Sequence, residues 1–334
     1  MIQQTDISWQ TQSWQTLLQS AIRDVRSLCE ALQLDPSDLS ISSVAENEFP
    51  LLVPLPFVSR MEKGNPLDPL LLQVLNSSQE EVNLDGLVED PLEESEHNPI
   101  PGLLHKYYNR VLLTVTPSCA IHCRYCFRRH FDYDSNNAGR SSWPRLLRYL
   151  NEHPELDEVI LSGGDPLVAS DSYLQSLTEK IAAIKHIRQL RIHTRLPVVI
   201  PQRILQSDLS WLASFTNPVV VLHINHAREI DADVTLAVKR LKDAGAEVLN
   251  QAVLLKGIND NLDDQLDLQR TCFESGIMPY YLHLPDRVKG TAHFQVTEAR
   301  GRELMENMKA RLSGYMLPNL VVEQPGNTSK TRLI

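Results

Sequence analysis

The sequence lacks most of what would mark a secreted, membrane-bound or polyanion-binding protein. Basic residues are in the minority: 32 Lys and Arg stand against 42 Asp and Glu, a net charge of −10. A chain whose main partner is nucleic acid ordinarily carries a basic excess, so no nucleic-acid partner is expected, although Arg124, Arg128 and Arg129 sit close together. No run of about twenty apolar residues is present, so no membrane span is expected. The opening MIQQTDISWQ has no basic stretch leading into an apolar one, so no secretory signal is expected either. The five cysteines do not form a disulfide framework, because three fall within eight residues while Cys29 and Cys272 are isolated. Such clustering points to metal in a cytoplasmic protein. No short fixed-period repeat is visible.

What is present is a chain of 334 residues with 42% hydrophobic content, enough for a large core. Apolar residues at helical spacing over 8–34, ending before Pro36, predict an amphipathic helix or helix pair. Pro54, Pro56 and Gly-Asn-Pro at 64–66 break the next region into short elements. The segment from Glu80 to His97 is rich in Asp and Glu and reads as a solvated acidic linker, with a docking surface for a basic partner as the sharper alternative. Residues 1–100 are therefore expected to be a mostly helical region with an acidic linker, and 101–334 a second unit.

From about residue 108, apolar β-rich runs alternate with helical patterns. Strands are expected at Val111–Thr116, Glu158–Ser162, Leu190–Thr194, Val219–His223, Glu247–Gln251, Met278–His283 and Leu320–Glu323. Helices are expected near 142–151, 171–184, 202–213, 232–243, 262–275 and 297–312. This alternation implies an α/β fold with parallel strands covered on both faces, a full or partial β/α barrel, with chemistry at the strand ends.

Cys119-Ala-Ile-His-Cys123-Arg-Tyr-Cys126 directly follows the first of these strands and Pro117. Three thiolates converging from one loop suit iron–sulfur or zinc. A cubane cluster usually takes four cysteines. With three, one iron is left to hold the amino and carboxylate groups of a methionine, and an electron passed into the adjacent sulfonium would release a 5′-deoxyadenosyl radical. A structural zinc site completed by His122 or His130 is the competing reading.

Ser162-Gly163-Gly164-Asp165-Pro166 follows the second strand. It reads either as a plain tight turn or as one whose backbone is open to a ligand, with Asp165 accepting from an ammonium. His223 and Gln251 end the fourth and fifth strands and suit either a core or a pocket wall. Lys330 lies in Gln-Pro-Gly-Asn-Thr-Ser-Lys-Thr after the last strand. Most lysines are solvated, but one held in a dry loop can lose its proton and form a Schiff base.

The segments MEKGNP (61–66), DPLE (90–93), PGLLHKY (101–107), CRYCFRRHF (123–131), SGGDPL (162–167), RIHTRLPVVIP (191–201), HINH (223–226), LNQAVLLKGIND (249–260), MPYYLH (278–283) and SKT (329–331) resemble the lysine 2,3-aminomutase family of radical S-adenosylmethionine enzymes, over roughly residues 58–334. Within it the chain is most similar to the bacterial branch that modifies elongation factor P. The resemblance implies a partial (β/α)6-type barrel with an N-terminal helical extension, and three cofactors: a [4Fe–4S] cluster on Cys119, Cys123 and Cys126, S-adenosyl-L-methionine, and pyridoxal 5′-phosphate. It implies that Gly163, Gly164, Asp165, Thr194, Arg195, His223 and Gln251 line the S-adenosylmethionine pocket. It further implies that Lys330 and Arg110 serve the pyridoxal phosphate and that Arg128 clamps the substrate carboxylate. Asp286 and Glu323 would meet the side-chain ammonium of L-lysine, where the family uses two aspartates. The implied reaction converts L-α-lysine to β-lysine, with an external electron donor and a functional link to elongation factor P and its lysyl ligase. The family loop is richer in glycine than Asn327-Thr328-Ser329, and the zinc-binding C-terminal extension of catabolic members has no counterpart after Lys330, so a zinc-linked oligomer is not expected. Two other readings stand beside this one: a radical enzyme that uses no pyridoxal phosphate, and a non-enzymatic metal scaffold.

Overall fold

The computed structural model describes residues 9–133, 135, 136 and 139–334. One sheet of nine strands, in sequential order, organises it. The strands are β1 (Leu103–Tyr107), β2 (Arg110–Thr116), β3 (Glu158–Gly163), β4 (Gln189–Thr194), β5 (Val219–Leu222), β6 (Glu247–Val253), β7 (Met278–His283), β8 (Asn319–Val322) and β9 (Thr331–Arg332). From β2 to β8 every neighbouring pair is parallel, while β1 and β9 add antiparallel to the two edges. Among the described residues no pairing joins β1 to β9, so the barrel is partial. The expected six-unit barrel is present with β8 as a seventh parallel strand. All seven strands expected from sequence are found, each within two residues at either end.

The helices are α1 (Trp14–Gln19), α2 (Val25–Leu32), α3 (Ser43–Glu48), α4 (Leu55–Val58), α5 (Trp143–Glu152), α6 (Asp171–Ala182), α7 (Leu196–Val199), α8 (Gln202–Leu205), α9 (Ala232–Asp243), α10 (Leu262–Glu274) and α11 (Glu298–Lys309). Side-chain N-caps start the long crossover helices: Ser170 accepts from Tyr173 N, Asp231 from Val234 N, Asn261 from Asp264 N and Thr297 from Arg300 N. The single helix expected over 202–213 is instead α8 and a 3-10 turn at Ser210–Ser214. Asp208 accepts from Ser210 N at 2.9 Å, and this local bond diverts the backbone from a continuous helix.

The N-terminal helices do not form a core of their own. Leu17, Leu28, Leu32, Phe57 and Met61 belong to the same buried cluster as Leu113, Leu161 and Leu222 of the sheet. The acidic segment is mostly exposed but is anchored at several points. Glu80 and Glu94 are buried, and Val88 forms a parallel bridge to Val288. Backbone bonds run from Val88 N to Arg287 O (3.0 Å) and from Lys289 N to Val88 O (2.9 Å). The segment is thus a strap tied along the loop after β7.

Candidate active site

A cavity of about 650 Å³ runs along the inner side of the sheet and is lined by residues of β1–β4, β6 and β7 and by the loops that follow the strands. Every site residue expected from sequence lines it: the three cysteines, Arg110, Arg128, Gly163, Gly164, Asp165, Thr194, Arg195, His223, Gln251, Asp286, Glu323 and Lys330. The burial pattern explains how nearly apolar strands present polar groups. β4 alternates half-buried and buried residues, so Arg191 and His193 share one face, and β6 does the same with Leu249, Gln251 and Val253.

The cysteine loop leaves β2 at Pro117 and is braced from both sides. Arg124 donates to Glu80 through Nε (2.8 Å) and Nη2, and to the carbonyls of Phe49 and Ala45. Arg129 donates to Glu80 Oε2 (2.8 Å) and Gly290 O (3.0 Å). Arg195 donates to Cys123 Sγ at 2.7 Å while its other amino group meets Gln73 and Glu229. Burial, reinforced by the neighbouring sulfurs, pushes the Cys119 thiol well up, and burial pushes Cys126 up to about 12. Without a metal these thiols keep their protons at neutral pH, and a metal must displace those protons to bind. His122 Nδ1 approaches Pro50 O at 2.8 Å and His130 Nε2 approaches Lys289 O at 3.2 Å, each using one ring nitrogen. Among the described residues no three His, Cys, Asp or Glu side chains converge on a single-metal site. Three thiols on one loop suit a cluster whose irons each take one of them.

The glycine pair is needed for packing rather than for open backbone. A Cβ at Gly164 would lie 2.4 Å from Ser118 O, and Gly163 has φ +112° with Thr116 O 2.9 Å from its would-be Cβ. Gly164 N and Asp165 N donate at 2.8 Å to Thr116 O and Ser118 O, so the turn locks onto the base of the cysteine loop. Asp165 corrects its expected role toward an ammonium. Its carboxylate accepts from Thr194 Oγ1 (2.7 Å) and the backbone N–H groups of Arg195, Leu196 and Leu167 (2.7, 2.9 and 3.1 Å), which fixes the end of β4. Other groups remain uncommitted: His193 Nε2, His223 Nε2, His283 Nε2 and Gln251 Oε1 are buried with no hydrogen-bond partner. Burial, with Arg195, Arg128 and Lys330 nearby, pushes His223 down to about 4, so its ring is neutral at pH 7. These orphaned atoms on adjacent strand ends form a cradle for a polar ligand.

At the seam of the open barrel, Glu323 follows β8 and reaches the opposite sheet edge. It accepts from Lys106 Nζ (3.0 Å) and Tyr107 OH (2.9 Å) of β1 and from Lys330 Nζ. The two ammonium groups hold its carboxyl far below the usual carboxylate range, against the opposing effect of burial. Glu323 is thus paired with two of the chain's own lysines. Asp286 is the freer acid: no side-chain hydrogen bond or ion pair to it is among the described contacts, and burial pushes its carboxyl up to about 7. Arg110 stacks 4.2 Å from the Tyr107 ring centroid and donates to Asn109, and among the described residues no carboxylate lies within ion-pair distance of it. Arg128 is held by Glu94 through Nε–Oε2 (2.8 Å) and Nη2–Oε1 (2.6 Å), while Nη1 has only Ser162 Oγ at 3.3 Å and Gly163 O at 3.5 Å. The expected clamp is therefore half taken by an internal glutamate.

Comparison with known proteins agrees with this geometry. The Radical SAM superfamily model matches residues 113–268. An L-lysine 2,3-aminomutase of Escherichia coli (strain K12) is 46% identical over 96% of this chain and 94% of its own. One from Haemophilus influenzae is 44% identical over 99% and 98%, and one from Clostridium subterminale 32% identical over 98% and 78%. The chain belongs to the lysine 2,3-aminomutase family.

For a lysine 2,3-aminomutase family member the groups present fit the implied cofactors. Three loop cysteines suit an iron–sulfur cluster with one open iron, the orphaned cradle suits S-adenosylmethionine, and Lys330 with an acid-free Arg110 suits pyridoxal phosphate. Sequence reasoning missed Lys106, Tyr107, His193, His283 and Glu94. His193 and His283 carried a usable signal, a polar residue near the end of an apolar strand. Glu94 carried none beyond its acidic surroundings, and Lys106 lay in a strand too short and polar to be expected.

Proposed function

We propose that this chain is an L-lysine 2,3-aminomutase that moves the α-amino group of L-lysine to the neighbouring carbon, giving β-lysine. The observation that carries the reading is that the three cysteines, Lys330, Arg128 and Asp286 open into one cavity. When bound, a [4Fe–4S] cluster with S-adenosylmethionine supplies a carbon radical, and pyridoxal phosphate supplies the carbonyl that carries the migrating nitrogen.

The chain's own residues bind, orient and shield. Cys119, Cys123 and Cys126 hold the cluster, with Arg195 on Cys123 Sγ neutralising part of its charge. His223, Gln251, Thr194 and the Gly163–Gly164 turn line the S-adenosylmethionine pocket. Glu323 keeps the Lys330 side chain within the cavity by pairing with its ammonium, and Arg110 offers a free cation to a phosphate. Arg128 orients the substrate α-carboxylate through its Nη1 side. Asp286 receives the side-chain ammonium, and a glutamate-type substrate would set acid against acid there. Leu92 and Glu94 of the strap line that side of the cavity and narrow it around the substrate. An external electron donor and the use of β-lysine in elongation factor P modification belong to the same proposal and are carried by the sequence resemblance.

The test is anaerobic turnover of labelled L-lysine by reconstituted enzyme with S-adenosylmethionine, pyridoxal phosphate and a reductant. Labelled β-lysine is expected, and Lys330→Ala is expected to form none. Unchanged lysine beside a rearranged different amino acid would overturn the substrate assignment, and full activity of Lys330→Ala would overturn the role of pyridoxal phosphate.

A further inference from the structure

The contact between Glu94 and Arg128 joins the strap to the cavity wall. A guanidinium offers five N–H groups, and Glu94 takes two of them on the Nε–Nη2 side. The other side, carrying both N–H groups of Nη1 and the second of Nη2, has only the two long contacts to Ser162 and Gly163. Both side chains are nearly buried, Arg128 at 6% and Glu94 at 11% exposure. Glu94 is itself fixed by its turn. Asp90 accepts from Glu94 N (3.0 Å), Ser95 N (3.1 Å) and Ser95 Oγ (2.9 Å), and Glu93 adopts φ +53°.

We propose that Glu94 is a positioning residue for substrate recognition: it holds Arg128 side-on, so that the guanidinium's open Nη1–Nη2 edge meets the α-carboxylate of the amino-acid substrate. The inference rests on the reading of Arg128 as the carboxylate clamp. Without Glu94 the guanidinium has other resting places, because the rings of Phe127 and Phe131 lie 4.9 and 5.8 Å from its carbon. Displacement of Glu94 by the incoming carboxylate is disfavoured, since the Asp90-capped turn would have to open and bury an unpaired glutamate. Pairing with Glu94 also offsets the charge of Arg128. Recognition then depends on the geometry of a planar, bidentate acceptor rather than on bulk attraction, which favours a carboxylate over a neutral amide.

The test uses cluster-reconstituted holoenzyme carrying Glu94→Gln, with Glu94→Ala as a second variant and Arg128→Lys as the comparator. Binding of L-lysine and of L-lysinamide is measured calorimetrically without reductant, and KM and kcat are measured separately with reductant. For Glu94→Gln the preference for L-lysine over L-lysinamide is expected to fall at least about tenfold and KM to rise by a similar factor, as for loss of one oriented charge-assisted hydrogen bond. Iron content and kcat are expected to stay near wild type, while the thermal midpoint falls by a few degrees, as for any loss of one partner of a buried pair. If Arg128→Lys loses the preference while both Glu94 variants keep it, Glu94 is not the positioning residue and the clamp stands. If Arg128→Lys keeps the preference as well, the clamp reading itself falls. Loss of iron in Glu94→Gln in step with loss of binding would reduce Glu94 to a structural role and overturn the inference.

Discussion

Replacing Glu80 by glutamine should damage the protein far more than its place in an acidic stretch suggests. Its carboxylate is 2% exposed and faces Arg124, which is fully buried, and Arg129 at 1% exposure. It also accepts from Ser77 N at 3.0 Å. Glutamine keeps the shape but leaves two buried guanidiniums without their counter-charge. Removing one partner of a buried ion pair typically costs about 3–5 kcal/mol, against a native stability of about 5–15 kcal/mol. The carbonyls of Phe49, Ala45 and Gly290 still accept from the two arginines, which places the loss toward the lower end. For 334 residues the unfolding entropy is about 0.7 kcal/mol per kelvin, so the thermal midpoint of cofactor-free protein should drop by about 4–5 °C. Cys126 lies between the two arginines and Cys123 adjoins Arg124, so iron per chain after reconstitution should fall with it. Glu89→Gln is the control from the same segment: its contact with Lys289 is 3.5 Å long and exposed, and its loss should change stability by less than about 0.5 kcal/mol. Anaerobic thermal unfolding and iron analysis of both variants decide the matter. A Glu80→Gln midpoint within about 1 °C of Glu89→Gln, with normal iron, would refute the bracing role.

Two further outcomes follow from the cavity. Asp286 titrates at about 7, and an ammonium binds its ionised form. L-Lysine affinity should therefore be level just above pH 7 and weaken by nearly tenfold per pH unit below it, as proton binding competes with the cation. Calorimetry from pH 5.5 to 8 reads this, Asp286→Asn should flatten the profile at weaker affinity, and a flat wild-type profile would exclude Asp286 as the ammonium site. Gly164→Ala would set a Cβ against Ser118 O and the Pro117 carbonyl carbon, both backbone atoms that cannot swing aside. Iron loading below half of wild type is expected, and normal loading would mean that the turn does not shape the cysteine loop.

The parallel strands were legible because the interiors of runs such as Glu158–Ser162 and Val219–His223 are continuous in β-branched and apolar residues. β1 was not, since Leu103–Tyr107 is short and its second half turns Lys106 and Tyr107 toward the cavity. The cysteine loop was legible from spacing alone, and its neighbours at strand ends from their place in the alternation. The pairings were not. Glu94 meets Arg128 across 34 positions, and Lys106 meets Glu323 across 217. Such contacts depend on how the strap and the two sheet edges come together, which no local pattern encodes. Asp165 shows the converse: a carboxylate at a suspected ligand turn that is spent on four internal donors.

The central claim is that three sulfurs hold a cluster with one iron left for a small chelating molecule. Mössbauer spectroscopy of iron-57-reconstituted protein, before and after S-adenosylmethionine is added, tests it most directly. A four-iron cluster is predicted in which a single iron changes its signal on addition while the others do not. A mononuclear metal on Cys119, Cys123 and Cys126, or four irons that ignore S-adenosylmethionine, would contradict it.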